Sequence, residues 1–180
     1  MKTSVFKDIK TYSGDDDLTN VLSEIRYGKL SHKISYLRGL LNSGSTEEFD
    51  IEKRRLPAFT PTATFNQRRK IDFINHYTGC IVLDIDDLPA GLLEIVKNKA
   101  KECLYTYTCF VSPSGHGLKV LVCSSSQAEN HEIMFIAIKD YYEEYLNVFI
   151  DESGKDLTRL CFFSHDPELY INENSELFKA

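Results

Sequence analysis

The chain has 180 residues, 42% of them apolar and 27% charged, with a net charge of −6. That length is enough for one domain with a core of ordinary size, and that composition excludes a disordered polar chain. The apolar runs fall far short of the roughly 20 residues that span a bilayer, and MKTSVFKDIK has no apolar signal stretch, so no membrane partner and a cytoplasmic location are expected.

In chain order, VFKDIK within residues 1–10 reads as a first strand. SGDDDLTN reads as a helix start with acids in its first turn. Leu18, Val21, Leu22 and Ile25 then recur at helical spacing up to Gly28. A second helix is expected from Ser31 to Leu41, ended by NSGS, and a short charged third from Thr46 to Arg54. LPAFTPTATF is β-prone but broken by two prolines, which suits an edge strand or an extended loop. Residues 79–85 form a nearly continuous apolar strand. A helix follows from about Pro89 to Cys103, with Asp87 as its expected N-cap.

YTYTCFVSPSG and GLKVLVCSS are two strands joined by a tight turn. Residues 128–147 make a long helix. VFID and LTRLCFFSHD close the chain as strands, with ESGKD as the turn between them. The expected fold class is α+β, helices packed on a mixed or antiparallel sheet. Residues 1–50 form a mainly helical segment packed on a core of residues 51–180, one structural domain in all.

Five cysteines lie among apolar neighbours with no CxxC or CxH spacing. They read as small buried hydrophobes in a reducing compartment, not as a disulfide frame or a zinc site. Charge is uneven. From Ile51 to Lys70 there are six basic residues against one acid, so this window is +5 and the remainder is −11. Arg68, Arg69 and Lys70 in this stripe are candidate contacts to a nucleic-acid backbone. Phe59 and Phe65 are candidate base-stacking residues, or else core.

Three constellations carry chemistry. In CIVLDIDDLPA, Asp84 and Asp86 stand at i and i+2 of a strand and so share a face. Two such hard carboxylates suit Mg²⁺ or Mn²⁺, or else an exposed strand end with solvated acids. In SPSGHGLKV, Ser114, Gly115 and Gly117 let backbone N–H groups approach an anion, with His116 and Lys119 as side-chain donors; the plain alternative is a hairpin turn. In FIDESGKDLTRLCFFSHDP, Asp151 ends an apolar run as Asp84 does, and Arg159 and His165 lie on one face of a strand-like run. The alternative there is a hairpin with Asp156 and Arg159 merely paired.

The order of these motifs resembles that of the archaeo-eukaryotic primase, or prim-pol, superfamily: hhhDhD, then Ser-x-His in a hairpin, then an apolar-Asp, then RLxxxSH. The run LPAFTPTATF, TGCIVLDIDD, SPSGHGLKVLV, DLTRLCFFSHDPELYIN resembles still more closely the domain called VirE N-terminal, a prim-pol branch of bacterial mobile elements often found ahead of a helicase-like ATPase. The likeness covers about residues 50–172. One departure is that the last serine and histidine, Ser164 and His165, are adjacent.

The resemblance implies an RRM-related sheet and a primase-polymerase type of nucleotidyltransferase. Nucleoside triphosphates would be joined on a single-stranded DNA or RNA template. Asp84, Asp86 and Asp151 would be the catalytic carboxylates and would hold two Mg²⁺ or Mn²⁺ ions. Ser114 and His116 would meet the triphosphate, and Arg159 and His165 the nucleotide. Lys119 joins this set from its charge and position.

A helicase-like ATPase, in the same or another chain, is the implied partner. No zinc module or P-loop is present in the sequence. Three other readings compete. A haloacid-dehalogenase type of phosphohydrolase shares the LDID start but follows it with Gly-Thr and a later acidic motif, both missing here. A two-metal nuclease uses similar carboxylates. A nucleic-acid-binding module could keep the fold without turnover. If the carboxylates repel one another when no metal is bound, Asp84→Asn/Asp86→Asn is expected to leave the apo domain no less stable.

Overall fold

The structure, a computed structural model, describes residues 1–89 and 91–179. Ala90, inside the expected fourth helix, and Ala180, the last residue of the expected core, lie outside the described residues.

Strand β1 (Lys2–Phe6) turns back into β2 (Tyr12–Asp17), antiparallel and in register from Lys2 opposite Asp17. The acids of SGDDDLTN therefore line an edge strand instead of opening a helix. Charged side chains suit an unpaired strand edge, because they deter pairing with a second chain. Helix α1 (Leu18–Tyr27) starts only after Asp17 and buries Leu18, Val21, Leu22 and Ile25. Helices α2 (Ser31–Asn42) and α3 (Thr46–Lys53) follow as the periodicity predicts. Ile34, Leu37, Leu40, Phe49 and Leu56 make a small core of their own between them.

Strand β3 (Ala58–Thr60) pairs with β1, and β4 (Ala63–Phe65) pairs with β5 (Ile74–Tyr77). Phe59 and Phe65 are 0% and 1% exposed, so both belong to the core and neither can stack on a base.

The central sheet contains β6 (Cys80–Ile85), β7 (Thr106–Val111) and β8 (Leu118–Cys123), with α4 (Leu92–Glu102) between β6 and β7. Helix α5 (His131–Leu146) follows β8. Two-residue strands β9 (Cys161–Phe162) and β10 (Tyr170–Ile171) complete the two main sheets, ordered β2-β1-β3-β9 and β10-β7-β8-β6. Strand β8 runs antiparallel to both β6 and β7, so those two are parallel with β8 inserted between them, a split βαβ arrangement. The fold is α+β.

The central sheet is covered on both faces. Ile81, Leu83, Ile85 and Val120 pack with α4 and α5, whereas Val82, Phe110 and Leu121 pack with α1, Phe59 and Phe163. Near-continuous apolar sequence in β6 follows from this double burial.

Three expected features differ. Asp87 caps no helix: it has φ 53°, and Leu88 N–H donates to the His116 carbonyl at 2.8 Å, so DDLP crosses to the hairpin turn before α4 begins. Gly91, with φ 86°, stands at the helix start instead. VFID is not a strand, and LTRLCFFSHD supplies only β9. Asp151 N–H still donates to the Asp84 carbonyl at 2.9 Å, which brings this segment against the free edge of β6.

Candidate active site

Period-2 alternation places Asp84 on the same face as Cys80 and Val82, at the end of β6 where the apolar layer stops. The register sets Lys119 of β8 directly opposite. The Lys119 ammonium meets one Asp84 oxygen, and Arg159 Nη2 meets the other at 2.9 Å. Asp84 is 4% exposed and Lys119 8%, so this pair is buried, and the desolvation of both charges is offset by close pairing. Burial pulls the Lys119 ammonium down from its ordinary range, helped by the nearby Arg159 and Lys53 charges and opposed by Cys161 and Asp151.

Asp86, one strand period on, is exposed overall but lines the same cavity. Partial desolvation raises its carboxyl above the ordinary value; Asp87 and Asp151 add to the rise, while Lys53 and Arg159 oppose it. Asp151 is held low instead by hydrogen bonds from Ser153, including the Ser153 amide at 2.8 Å, and by Arg159, whose guanidinium lies 3.9 Å away. Close approach of the turn after Asp151 to β6 depends on a glycine. A Cβ at Gly154 would lie 2.5 Å from the Val82 carbonyl oxygen and press into Phe135. Buried His131 fixes the same turn through its Nε2, 3.1 Å from the Gly154 carbonyl, while Tyr77 Oη lies 3.1 Å from Nδ1. Since a carbonyl only accepts, Nε2 carries the proton and Nδ1 accepts from the tyrosine.

A cavity of about 280 Å³ opens above Asp84. Lys53, Arg69, Asp86, Lys119 and Arg159 line it with Asp84, so side chains from α3, the stripe, β6, β8 and the segment before β9 converge. Arg69 is fixed by donating to the Thr158 carbonyl at 2.7 Å. A second cavity, of about 550 Å³, lies alongside and shares Lys53 and Asp86 with the first. His116 and Ser114 line that second cavity. A Cβ at Gly117 would stand 2.6 Å from the Ile85 carbonyl oxygen and 3.1 Å from Asp86 Oδ1, so glycine is what lets the hairpin turn lie against Asp86.

Thus Asp84, Asp86, Lys119, Arg159 and Arg69 are brought together, with Asp151 at their edge. His116 and Ser114 stand next door. His165 lines neither cavity; its Nδ1 is buried without a partner, and Arg38 reaches its carbonyl at 3.4 Å. The run 159–165 is not a continuous strand, so Arg159 and His165 do not point at one ligand as strand alternation implied. Arg68 and Lys70 are exposed and line neither cavity; Arg68 lies 5.4 Å over the Phe73 ring. Lys53 is the site residue that sequence reasoning missed. It stood in the basic stripe, but nothing in the sequence tied it to Asp86.

As donors, the carboxylates are the hard oxygens a divalent cation takes. Their arrangement fits in part. Asp86 and Asp151 face each other's negative charge in the field of the cavity, where a cation would relieve them, but both Asp84 oxygens are engaged by Lys119 and Arg159. No group of three or more His, Cys, Asp or Glu side chains converges as a ready metal cage among the described residues. A cation bound by all three aspartates requires Asp84 to release a basic partner.

Among the described residues, no helix is long and apolar enough to cross a membrane. No curated protein and no solved structure matches the chain. One family model does: that of the BT4734-like, N-terminal domain, over residues 51–171, which take in both cavities' motif residues from Lys53 to Arg159. By that match across two thirds of its length, the chain belongs to the BT4734-like N-terminal domain family.

Proposed function

We propose that this domain is a template-dependent nucleotidyltransferase of primase-polymerase type, joining nucleoside triphosphates on single-stranded DNA or RNA with two Mg²⁺ or Mn²⁺ ions. The observation that supports it is the convergence on one cavity of Asp84, Asp86, Lys119 and Arg159, with Asp151 tied to Asp84 through the backbone. These residues come from the motif stretches that resemble prim-pol enzymes.

Asp84, Asp86 and Asp151 would hold the ions, which when bound lower the charge on the phosphates and activate the attacking hydroxyl. Arg159, Lys53 and Arg69 bring three positive charges to the cavity wall for the triphosphate and template phosphates. His116 and Ser114, in the adjoining cavity, reach the nucleotide from the hairpin side. His165 contributes through its segment's position rather than by direct contact. The resemblance also suggests a role in mobile-element replication beside a helicase-like ATPase, in the cytoplasm.

A second reading is a nucleic-acid-binding module without turnover. It is favoured by the engagement of both Asp84 oxygens by basic side chains. Incorporation of radiolabelled nucleotide on a single-stranded template with Mn²⁺ separates the two. We expect incorporation by the wild type and none by Asp84→Ala/Asp86→Ala. Template binding without incorporation by the wild type would establish the second reading.

A further inference from the structure

Arg38 belongs to α2, outside the residues that the family model matches. It reaches 74 and 127 residues along the chain: its Nη2 donates to the Ser112 carbonyl at 3.2 Å and to the His165 carbonyl at 3.4 Å. Those carbonyls belong to the two stretches, SPSGH and SH, that carry Ser114, His116 and His165. Gly115, with φ 80°, sits on the arginine stem so closely that a Cβ there would lie 3.1 Å from Arg38 Nε and 3.2 Å from Cδ. The hairpin turn therefore rests on Arg38, and glycine is needed at its point of contact.

The charge balance beneath the turn is unusual. The carboxylate that faces Arg38 is Asp166, and Asp166 already pairs with buried Lys97 at 2.9 Å and accepts from Val111 N–H at 2.8 Å. Arg38 forms no ion pair of its own among the described residues, and its Nε is buried without a partner. In the segment whose carbonyl it contacts, Ser164 Oγ and His165 Nδ1 are likewise buried and unpartnered. A partly buried guanidinium held only by neutral carbonyls is expensive unless it serves geometry or an anion nearby.

We infer that Arg38 is a positioning residue: its guanidinium braces the Ser112–Gly117 turn against the Ser164–His165 segment and so sets the turn, with Ser114 and His116, for an anionic ligand of the phosphate class. As to the ligand, the inference rests on the function proposed above; as to the bridge, it does not. The planar fork matters because one guanidinium can serve two carbonyls on different segments, whereas a lysine ammonium, a point charge on a flexible four-carbon stem, does not hold them in fixed relation.

Hydrogen–deuterium exchange of the full chain tests the bridge, with wild type, Arg38→Ala and Arg38→Lys compared and thermal unfolding followed in parallel. We expect faster exchange in both residues 112–117 and 164–166 in each variant, with β6 and β8 unchanged. Affinity for a fluorescent nucleoside triphosphate with Mn²⁺ should fall roughly tenfold in both variants, since small misplacements of binding groups have large effects. If Arg38→Ala does not fold, Arg38→Lys carries the test. Unchanged exchange in either segment, or full recovery of protection and affinity by lysine, would overturn the inference. Faster exchange in both segments with no nucleotide binding even by the wild type would uphold the bridge and defeat the proposed function.

Discussion

Two buried lysine–aspartate pairs lie in this small molecule, and they differ in what surrounds them. Lys97–Asp166 joins α4 to the segment after β9. Both residues are almost fully buried, and the Asp166 oxygens also accept from Val111 N–H at 2.8 Å and Glu168 N–H at 3.0 Å. It lines neither of the two cavities at the candidate site. Lys119–Asp84 joins neighbouring strands, shares Asp84 with Arg159, and faces a cavity of about 280 Å³ with further charges of both signs. The first pair is closed and satisfied, as a structural ion pair must be. The second is left facing space, where a ligand can exchange for one of its partners. Burial alone does not separate structure from function here; what the remaining charges face does.

The comparison is sharpest if the closed pair is broken. Lys97→Met should strand the Asp166 carboxylate and destabilise the domain by about 3 to 5 kcal/mol, read as a lower urea midpoint. A change below about 1 kcal/mol would mean that Asp166 relies on its backbone donors alone.

Asp84→Asn should cost less, about 1 to 3 kcal/mol, because Lys119 and Arg159 can turn toward cavity water. The sign is opposite to that expected from sequence for Asp84→Asn/Asp86→Asn, where relief of carboxylate repulsion leaves the apo domain no less stable. The structure supplies two basic partners for Asp84, so its removal leaves positive charge unpaired. Asp84→Asn and Asp84→Asn/Asp86→Asn variants both as stable as the wild type would restore the sequence-based expectation.

The basic stripe offers a smaller effect. Arg69 alone of Arg68, Arg69 and Lys70 lines the cavity. Arg69→Gln should therefore flatten the dependence of log affinity for single-stranded DNA on log salt by about 0.7, the value of one phosphate contact. Arg68→Gln and Lys70→Gln should leave the slope nearly unchanged. Equal flattening by all three would place the template across the outer stripe.

The smallest effect is on pH. Burial lowers the His131 imidazole below its ordinary value. A group whose folded pKa is depressed takes up a proton on unfolding, so stability falls as pH drops through the unfolded value near 6.5. His131→Gln should flatten that acid slope while lowering stability at pH 8, where the bond to Gly154 is lost. An unaltered slope between pH 8 and pH 5 would mean that other groups carry it.

The helices were legible because Leu18, Val21, Leu22 and Ile25, and the later apolar repeats, hold a helical period whatever packs on them. Strand β6 was legible because burial on both faces leaves an unbroken apolar run. Strand β2 was not, since Tyr12–Asp17 is an exposed edge whose acids look like a helix N-terminus. At the site, the face shared by Asp84 and Asp86 followed from strand geometry. That Lys119 stands opposite Asp84 is a matter of register, which neither strand states alone. Arg38 was invisible for a similar reason: it meets residues 74 and 127 positions away, and nothing in SHKISYLRGLLN marks one arginine as different.

Asp84, Asp86 and Asp151 are proposed to form one cation and nucleotide site. Calorimetric titration of Mn²⁺ into the full chain, with and without a nucleoside triphosphate, tests it most directly. We expect saturable Mn²⁺ binding by the wild type, tightened by the nucleotide, and no such binding by Asp84→Asn/Asp86→Asn. Equal Mn²⁺ binding by the wild type and the folded double variant would contradict it.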